Sequence, residues 1–96
     1  MEEKIIRRHY LFSGRVQGVG FRFRAQWEAQ KLGITGWVMN RADGRVEMVA
    51  QGTPLALARL IPQMRQSDWI FIESVEEWPE EVKPEETDFR IHSGRY

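Results

Sequence analysis

The 96-residue sequence predicts an α+β fold, a βαββαβ sandwich in which two helices cover one face of an antiparallel sheet and a short extra strand follows at the C-terminus. Three observations carry that prediction. Segments of alternating, β-rich character give way twice to helical spacing. The connections are marked by Gly, Pro and Asp-Gly turn chemistry. With 42% hydrophobic and 29% charged residues, the chain can build one core but not two, so residues 1–96 read as a single domain.

Each element follows from its own stretch. Ile5 to Arg15 is rich in β-formers and runs into the glycine-punctuated loop Val16-Gln17-Gly18-Val19-Gly20. From Phe21 to Leu32, the positions Phe21, Ala25, Ala29 and Leu32 keep helical spacing, and Gly33 supplies a helix stop. Thr35 to Asn40 and Arg45 to Gln51 flank the turn Arg41-Ala42-Asp43-Gly44 and read as a β-hairpin. Thr53 is the expected N-cap and Pro54 the first residue of a second helix to about Arg65, with Leu57, Leu60, Ile61 and Met64 on one face. Pro62 lies inside this helix, where it removes a donor and crowds the carbonyl of Ala58, so a kink or an early loosening is expected. Ile70 to Trp78 reads as the fourth strand, Pro79 to Asp88 as a solvated acidic loop, and Phe89 to His92 as the short final strand.

Right-handed crossovers turn this order into a ferredoxin-like topology with strand order 4132. The first two strands then run in the same direction on either side of the third. At the usual interstrand spacing, the loop after the first strand and the end of the second are separated by about 10 Å of backbone, so side chains from both can converge.

Composition removes several function classes. The absence of cysteine excludes a disulfide scaffold, a thiol nucleophile and thiolate metal sites, and fits a reducing compartment. His9 and His92 alone make a poor metal set. No apolar stretch approaches the ~18 residues of a membrane span, and the N-terminus lacks a signal-peptide pattern; a cytoplasmic protein is expected. Fourteen basic residues balance fourteen acidic ones, so a broadly basic nucleic-acid binder is excluded. The balance conceals a split: residues 1–48 carry nine Lys and Arg against five Asp and Glu, and residues 49–96 carry five against nine. An anion is expected on the first half.

One segment breaks local rules. Arg22 and Arg24 fall in the first turn of the first helix, where the macrodipole disfavours cations by roughly 0.3–1 kcal/mol. No Ser, Thr, Asp or Asn caps that turn. A bound anion would accept from the free amides and neutralise the arginine; the plainer reading is a tight connection with a solvated arginine. Gly14, Gly18 and Gly20 match neither the P-loop nor the dinucleotide-binding spacing. Asn40 ends the second strand at the same edge. It reads either as a turn former or as an amide that holds a water beside an arginine-bound phosphate.

Gly14 to Arg22, followed by Gly33 to Asn40 (Gly-Ile-Thr-Gly-Trp-Val-Met-Asn), resembles the two signature regions of the acylphosphatases, and the likeness in element order extends over essentially the whole chain. The resemblance implies hydrolysis of a small acyl phosphate to a carboxylate and inorganic phosphate, without metal or cofactor. It assigns phosphate binding to Arg22 and to the backbone amides of Val16, Gln17, Gly18, Val19, Gly20 and Phe21, and orientation of the attacking water to Asn40. The implied partners are the acyl phosphate and, as product or inhibitor, inorganic phosphate or another anion. No nucleic acid or membrane is implied, and a monomer suffices. The end of the chain, Phe89 to Tyr96, is longer than the Ile-Arg-Tyr-like tail of many acylphosphatases, which bears on any contact between the terminal carboxylate and Arg22.

The other conspicuous residues take structural readings. Trp27, Trp37 and Trp78 are expected in the core or on a sheet face, and His92 in a structural role. Trp69 and Phe71 are expected to pack, with a place beside the acyl group as the alternative. Two other functions compete with the hydrolase. One is a noncatalytic anion-binding module like the acylphosphatase-like domain of larger carbamoyl-transfer maturation proteins, disfavoured by the lack of a cysteine-rich continuation. The other is an RNA-binding domain suggested by Gly20-Phe21-Arg22-Phe23, disfavoured because RNA-binding aromatics sit on a central strand and this segment opens a helix.

Overall fold

A computed structural model describes residues 4–93. It contains β1 (Ile6–Arg15), α1 (Phe21–Lys31), β2 (Thr35–Asn40), β3 (Val46–Gly52), α2 (Pro54–Met64), β4 (Phe71–Glu80) and β5 (Phe89–His92). The sheet order is β4-β1-β3-β2-β5. The first four strands pair antiparallel in the ferredoxin-like order, and β5 adds to β2 in parallel, so the sheet is mixed at that edge.

Period-two alternation divides the sheet. Tyr10 and Phe12 of β1, Val38 of β2, and Val46, Met48 and Ala50 of β3 are buried in one core with Phe21, Ala25 and Ala29 of α1 and Leu57, Leu60 and Met64 of α2. Thr53 caps α2 as expected, its Oγ1 accepting from the Ala56 amide at 3.1 Å. The expected loosening at Pro62 does not interrupt the helix, which continues to Met64. The hydrogen-bond ladder resumes when the Arg65 amide donates to the Ile61 carbonyl at 3.0 Å.

On the opposite face, the His9 ring stacks on Trp78 with centroids 4.5 Å apart and meets Trp37 edge-on at 5.8 Å, while Trp37 stacks on His92 at 5.1 Å. Trp37, Trp78 and His92 are thus sheet-face residues. Trp27 departs from expectation: it lies on the outer side of α1 and is 55% exposed. Trp69 and Phe71 do not pack either, being 71% and 60% exposed. Pro79 is part of β4 rather than of the following loop. As an edge strand, β4 tolerates a residue without an N–H.

Because β4 and β5 occupy opposite edges, residues 81–88 must cross β1, β3 and β2. A buried polar network holds the crossing. Arg7, 4% exposed, donates to both carboxylate oxygens of Glu86 at 2.8 and 3.2 Å and to Gln51 Oε1 at 3.0 Å. Gln51 clasps Lys83 through its carbonyl (2.9 Å) and its amide (2.8 Å). The Gly36 amide donates to the Asp88 carbonyl at 3.0 Å just before β5 begins. Burial alone would raise the Glu86 pKa, but the hydrogen bonds and charge of Arg7 outweigh it and hold the carboxyl below its usual range.

Replacing Arg7 with Met would leave Glu86 charged without its partner, and urea unfolding at neutral pH should show a loss of about 3 kcal/mol. A depressed carboxylate pKa contributes stability that is present above the unfolded value of about 4.3 and is lost as pH falls through the folded value. Acid unfolding of Glu86→Gln should therefore be less pH-dependent below about pH 4 than that of the wild type.

Candidate functional site

The site is assembled at the edge where β1 and β2 end. The loop between β1 and α1 turns through Gly18 and Gly20 at φ 73° and 78°, left-handed conformations that glycine adopts without a Cβ penalty. Gly20 is the N-cap of α1 and offers no side-chain cap; the first turn holds no acidic residue. Its carbonyl accepts from the Arg24 amide at 2.9 Å, which starts the helical ladder. Among the described residues, the backbone amides from Val16 to Phe21 donate no hydrogen bond to other protein groups. The end of the helix therefore presents free donors together with the positive end of its macrodipole.

The two arginines of the first turn differ. Arg24 forms an ion pair with the buried Glu28 at 2.9 Å and donates to the Gln63 carbonyl at 3.2 Å, tying α1 to α2. Arg22 is half-buried and makes no hydrogen bond or ion pair among the described residues. Arg41 and Arg45, in the hairpin turn, are already neutralised. Arg45 donates to Asp43 through its side chain and backbone, Arg41 donates to Asp43 at 3.3 Å and to Glu47 at 2.9 Å, and these donors hold the Asp43 carboxyl well below its usual pKa. Of the arginines in the first turn of α1 and the hairpin turn, Arg22 is thus the one without a carboxylate partner among the described residues.

Asn40 is the last residue of β2 and shares the helix-side face with the core residue Val38, two positions earlier. It is 7% exposed, and its side-chain oxygen Oδ1 is buried without a protein partner. Such a group is costly unless something donates to it.

The side chain of Gln17 joins the two halves, a feature the sequence analysis missed because it assigned only the backbone amide of that residue. Gln17 Nε2 donates to the carbonyls of Arg41 at 2.7 Å and Arg45 at 2.8 Å, across the turn that the Arg41 amide closes on the Arg45 carbonyl at 2.9 Å. The loop is clipped to the residue that follows Asn40. The available signal was a primary amide in a glycine loop opposite a hairpin turn, where bare carbonyls need donors.

Among the described residues, no group of three or more His, Asp or Glu side chains is arranged to hold a metal ion. No described helix is long and apolar enough to cross a membrane. The C-terminal residues 94–96, where the sequence departs from the usual tail, lie outside the described residues.

Comparison with known proteins gives matches over most of the chain. The acylphosphatase family model matches residues 8–91. An acylphosphatase from Geobacillus thermodenitrificans is 40% identical over 87 residues, covering 90% of this chain and 93% of that protein. One from Marinobacter nauticus is 55% identical over 56 residues, covering 58% of this chain, and the match spans only 61% of that relative's length. The crystal structure of acylphosphatase from Bacillus subtilis superposes with a TM-score of 0.83 at 33% identity, covering 93% of this chain and 99% of that one. With its fold and residues 8–91 accounted for, the chain belongs to the acylphosphatase family.

Proposed function

We propose that this single domain hydrolyses the carboxyl–phosphate bond of small acyl phosphates, releasing a carboxylate and inorganic phosphate without a metal or cofactor. The observation that carries the reading is Arg22, half-buried and without a carboxylate partner at an uncapped helix end beside a loop of unpaired amides. Those donors suit a phosphate dianion: the guanidinium binds two of its oxygens as a fork, and the amides take the rest.

The chemistry asks for little more. A carboxylate is a good leaving group, and phosphoryl transfer passes through a loose transition state that depends on positioning and charge stabilisation. Asn40 Oδ1 accepts a hydrogen bond from the attacking water and aims its oxygen at phosphorus. As the new P–O bond forms, the bond to the acyl oxygen breaks and its electron pair leaves on the carboxylate. The proton of the water passes to a phosphate oxygen of the substrate, because an amide is too weak a base to keep it. Inorganic phosphate should compete with substrate for the same donors. The cysteine-free composition supports action in a reducing compartment such as the cytoplasm, and one copy of the chain carries every group the reaction uses.

Turnover of acetyl phosphate, measured with and without chelator, tests the proposal; insensitivity to chelator is expected. Asn40→Ala should lower kcat by about 10²–10³ with little change in KM, and wild-type turnover in this variant would remove Asn40 from the mechanism. Arg22→Ala should weaken phosphate binding as well as turnover, and normal phosphate affinity would disprove the cradle.

Gln17→Met keeps the length of the side chain and loses both hydrogen bonds to the turn. It should reduce kcat/KM at least about tenfold, since small misplacements of reacting groups cost up to about 10². The measured loss of stability should be only about 1–2 kcal/mol. Unchanged kinetics would show that the loop holds its place without the clip.

A further inference from the structure

We infer that the acyl end of the substrate is received by an aromatic-walled cleft that starts at the glycine loop, so that acyl phosphates with an aromatic or extended apolar acyl group are the preferred class. The inference rests on the acyl phosphate reading above. It comes from a different set of residues.

Four of the large apolar side chains left in solvent follow the loop in sequence, two on the helix that it opens and two around the start of β4. Phe23 and Trp27, 69% and 55% exposed, follow it on α1; Trp69 and Phe71, 71% and 60% exposed, lie in the α2–β4 connection and at the start of β4. Phe71 is paired with Arg15, the residue at which β1 ends and the loop begins. Isolated exposed apolar residues need no explanation, but two aromatics that line one cleft form the kind of patch that marks a binding surface.

Phe23 and Trp27 line a cleft of about 480 Å³ together with Gly20, Arg24 and Ser67. Phe23, Trp27 and Gln30, which also lines it, stand four and three residues apart and so form one face of α1. Ser67, from the α2–β4 connection, supplies the opposite wall. Gly20 belongs both to this cleft and to the amide loop, which makes the apolar surface continuous with the phosphate donors.

The wall is held in place. The Trp27 ring has Lys31 Nζ 4.2 Å and the Arg24 guanidinium 5.8 Å from its centroid, within cation–π range. Arg24 is itself fixed by Glu28 and Gln63. An acyl phosphate carries its charge at one end and its organic group at the other. With the phosphate on the loop amides, an acyl group leaving past Gly20 meets aromatic faces, and an aromatic ring or alkyl chain gains from covering them. An acetyl group offers little apolar surface with which to cover them.

Benzoyl phosphate and acetyl phosphate, assayed with the wild type, Trp27→Ala, Phe23→Ala and the surface control Leu55→Ala, test the inference. The two cleft variants should lower the ratio of kcat/KM for benzoyl phosphate to that for acetyl phosphate at least about fivefold, mainly through the KM for benzoyl phosphate. Leu55→Ala should keep the wild-type ratio. Comparing variants by this ratio cancels the different intrinsic reactivities of the two mixed anhydrides. If the wild type turns over both substrates and the ratio survives Trp27→Ala and Phe23→Ala, the inference is overturned and the acyl phosphate reading stands. If the wild type turns over neither, that reading fails and takes the inference with it.

Discussion

The candidate site depends on one side chain that reaches across an intervening strand. β1 and β2 are not neighbours; β3 lies between them. The loop that follows β1 and the residue that ends β2 would therefore be related only through the sheet, were it not for the Gln17 amide and its two carbonyl partners at Arg41 and Arg45. Two left-handed glycines make the loop easy to bend, and a free loop would give its amides no fixed target. In the proposed function the clip holds the loop amides at a set place relative to Asn40, the condition under which donors act on a transition state without reorganising.

Of the four arginines in the first turn of α1 and the hairpin turn, one is left without a carboxylate partner among the described residues. Arg24, Arg41 and Arg45 are each bound to carboxylates of their own neighbourhood, and in doing so they build the α1–α2 contact and the hairpin turn. Arg22 takes no such part. A cation in the first turn of a helix is a local inconsistency, and such inconsistencies concentrate where a ligand completes the structure. The uncapped helix end and the buried, unpartnered oxygen of Asn40 are two more unsatisfied groups at that edge. In the proposed reading, one hydrated phosphate answers all three.

Much of this was legible in the sequence because it rests on local signals. Turn glycines, the Thr53-Pro54 helix start and the alternation of β2 and β3 define elements whose bounds the structure reproduces closely, and the order of those elements left one favoured topology. What escaped was long-range. The partners of Gln17 lie 24 and 28 residues away, and no local pattern announces a side chain that serves a distant turn. The exposure of Trp27, Trp69 and Phe71 was missed for a related reason: hydrophobicity argues for burial, and only the packed structure reveals which apolar residues the core has no room for. Pro79 reads locally as the start of a loop, because its edge position, where a missing N–H is harmless, is a property of the sheet and not of the segment.

The charge balance follows from the path of the chain. Eight of the fourteen acidic residues fall between Glu73 and Asp88, on the edge strand β4 and on the segment that crosses the sheet face turned away from the helices. Asn40 and α1 lie on the other side, so the thickness of the sheet separates most of the negative charge from the proposed phosphate position. At physiological ionic strength, exposed charges are largely screened beyond about 8 Å, and much of the acidic surface then contributes little repulsion at Arg22. Part of that surface is also locally engaged, Glu86 by Arg7 and Glu80 by His9 at 2.6 Å. A net charge of zero can therefore coexist with a strongly anion-attracting edge. The crossing segment that carries much of the negative charge to the far face is held there by Arg7, so the residue that anchors the fold also keeps the acidic half of the chain away from the site.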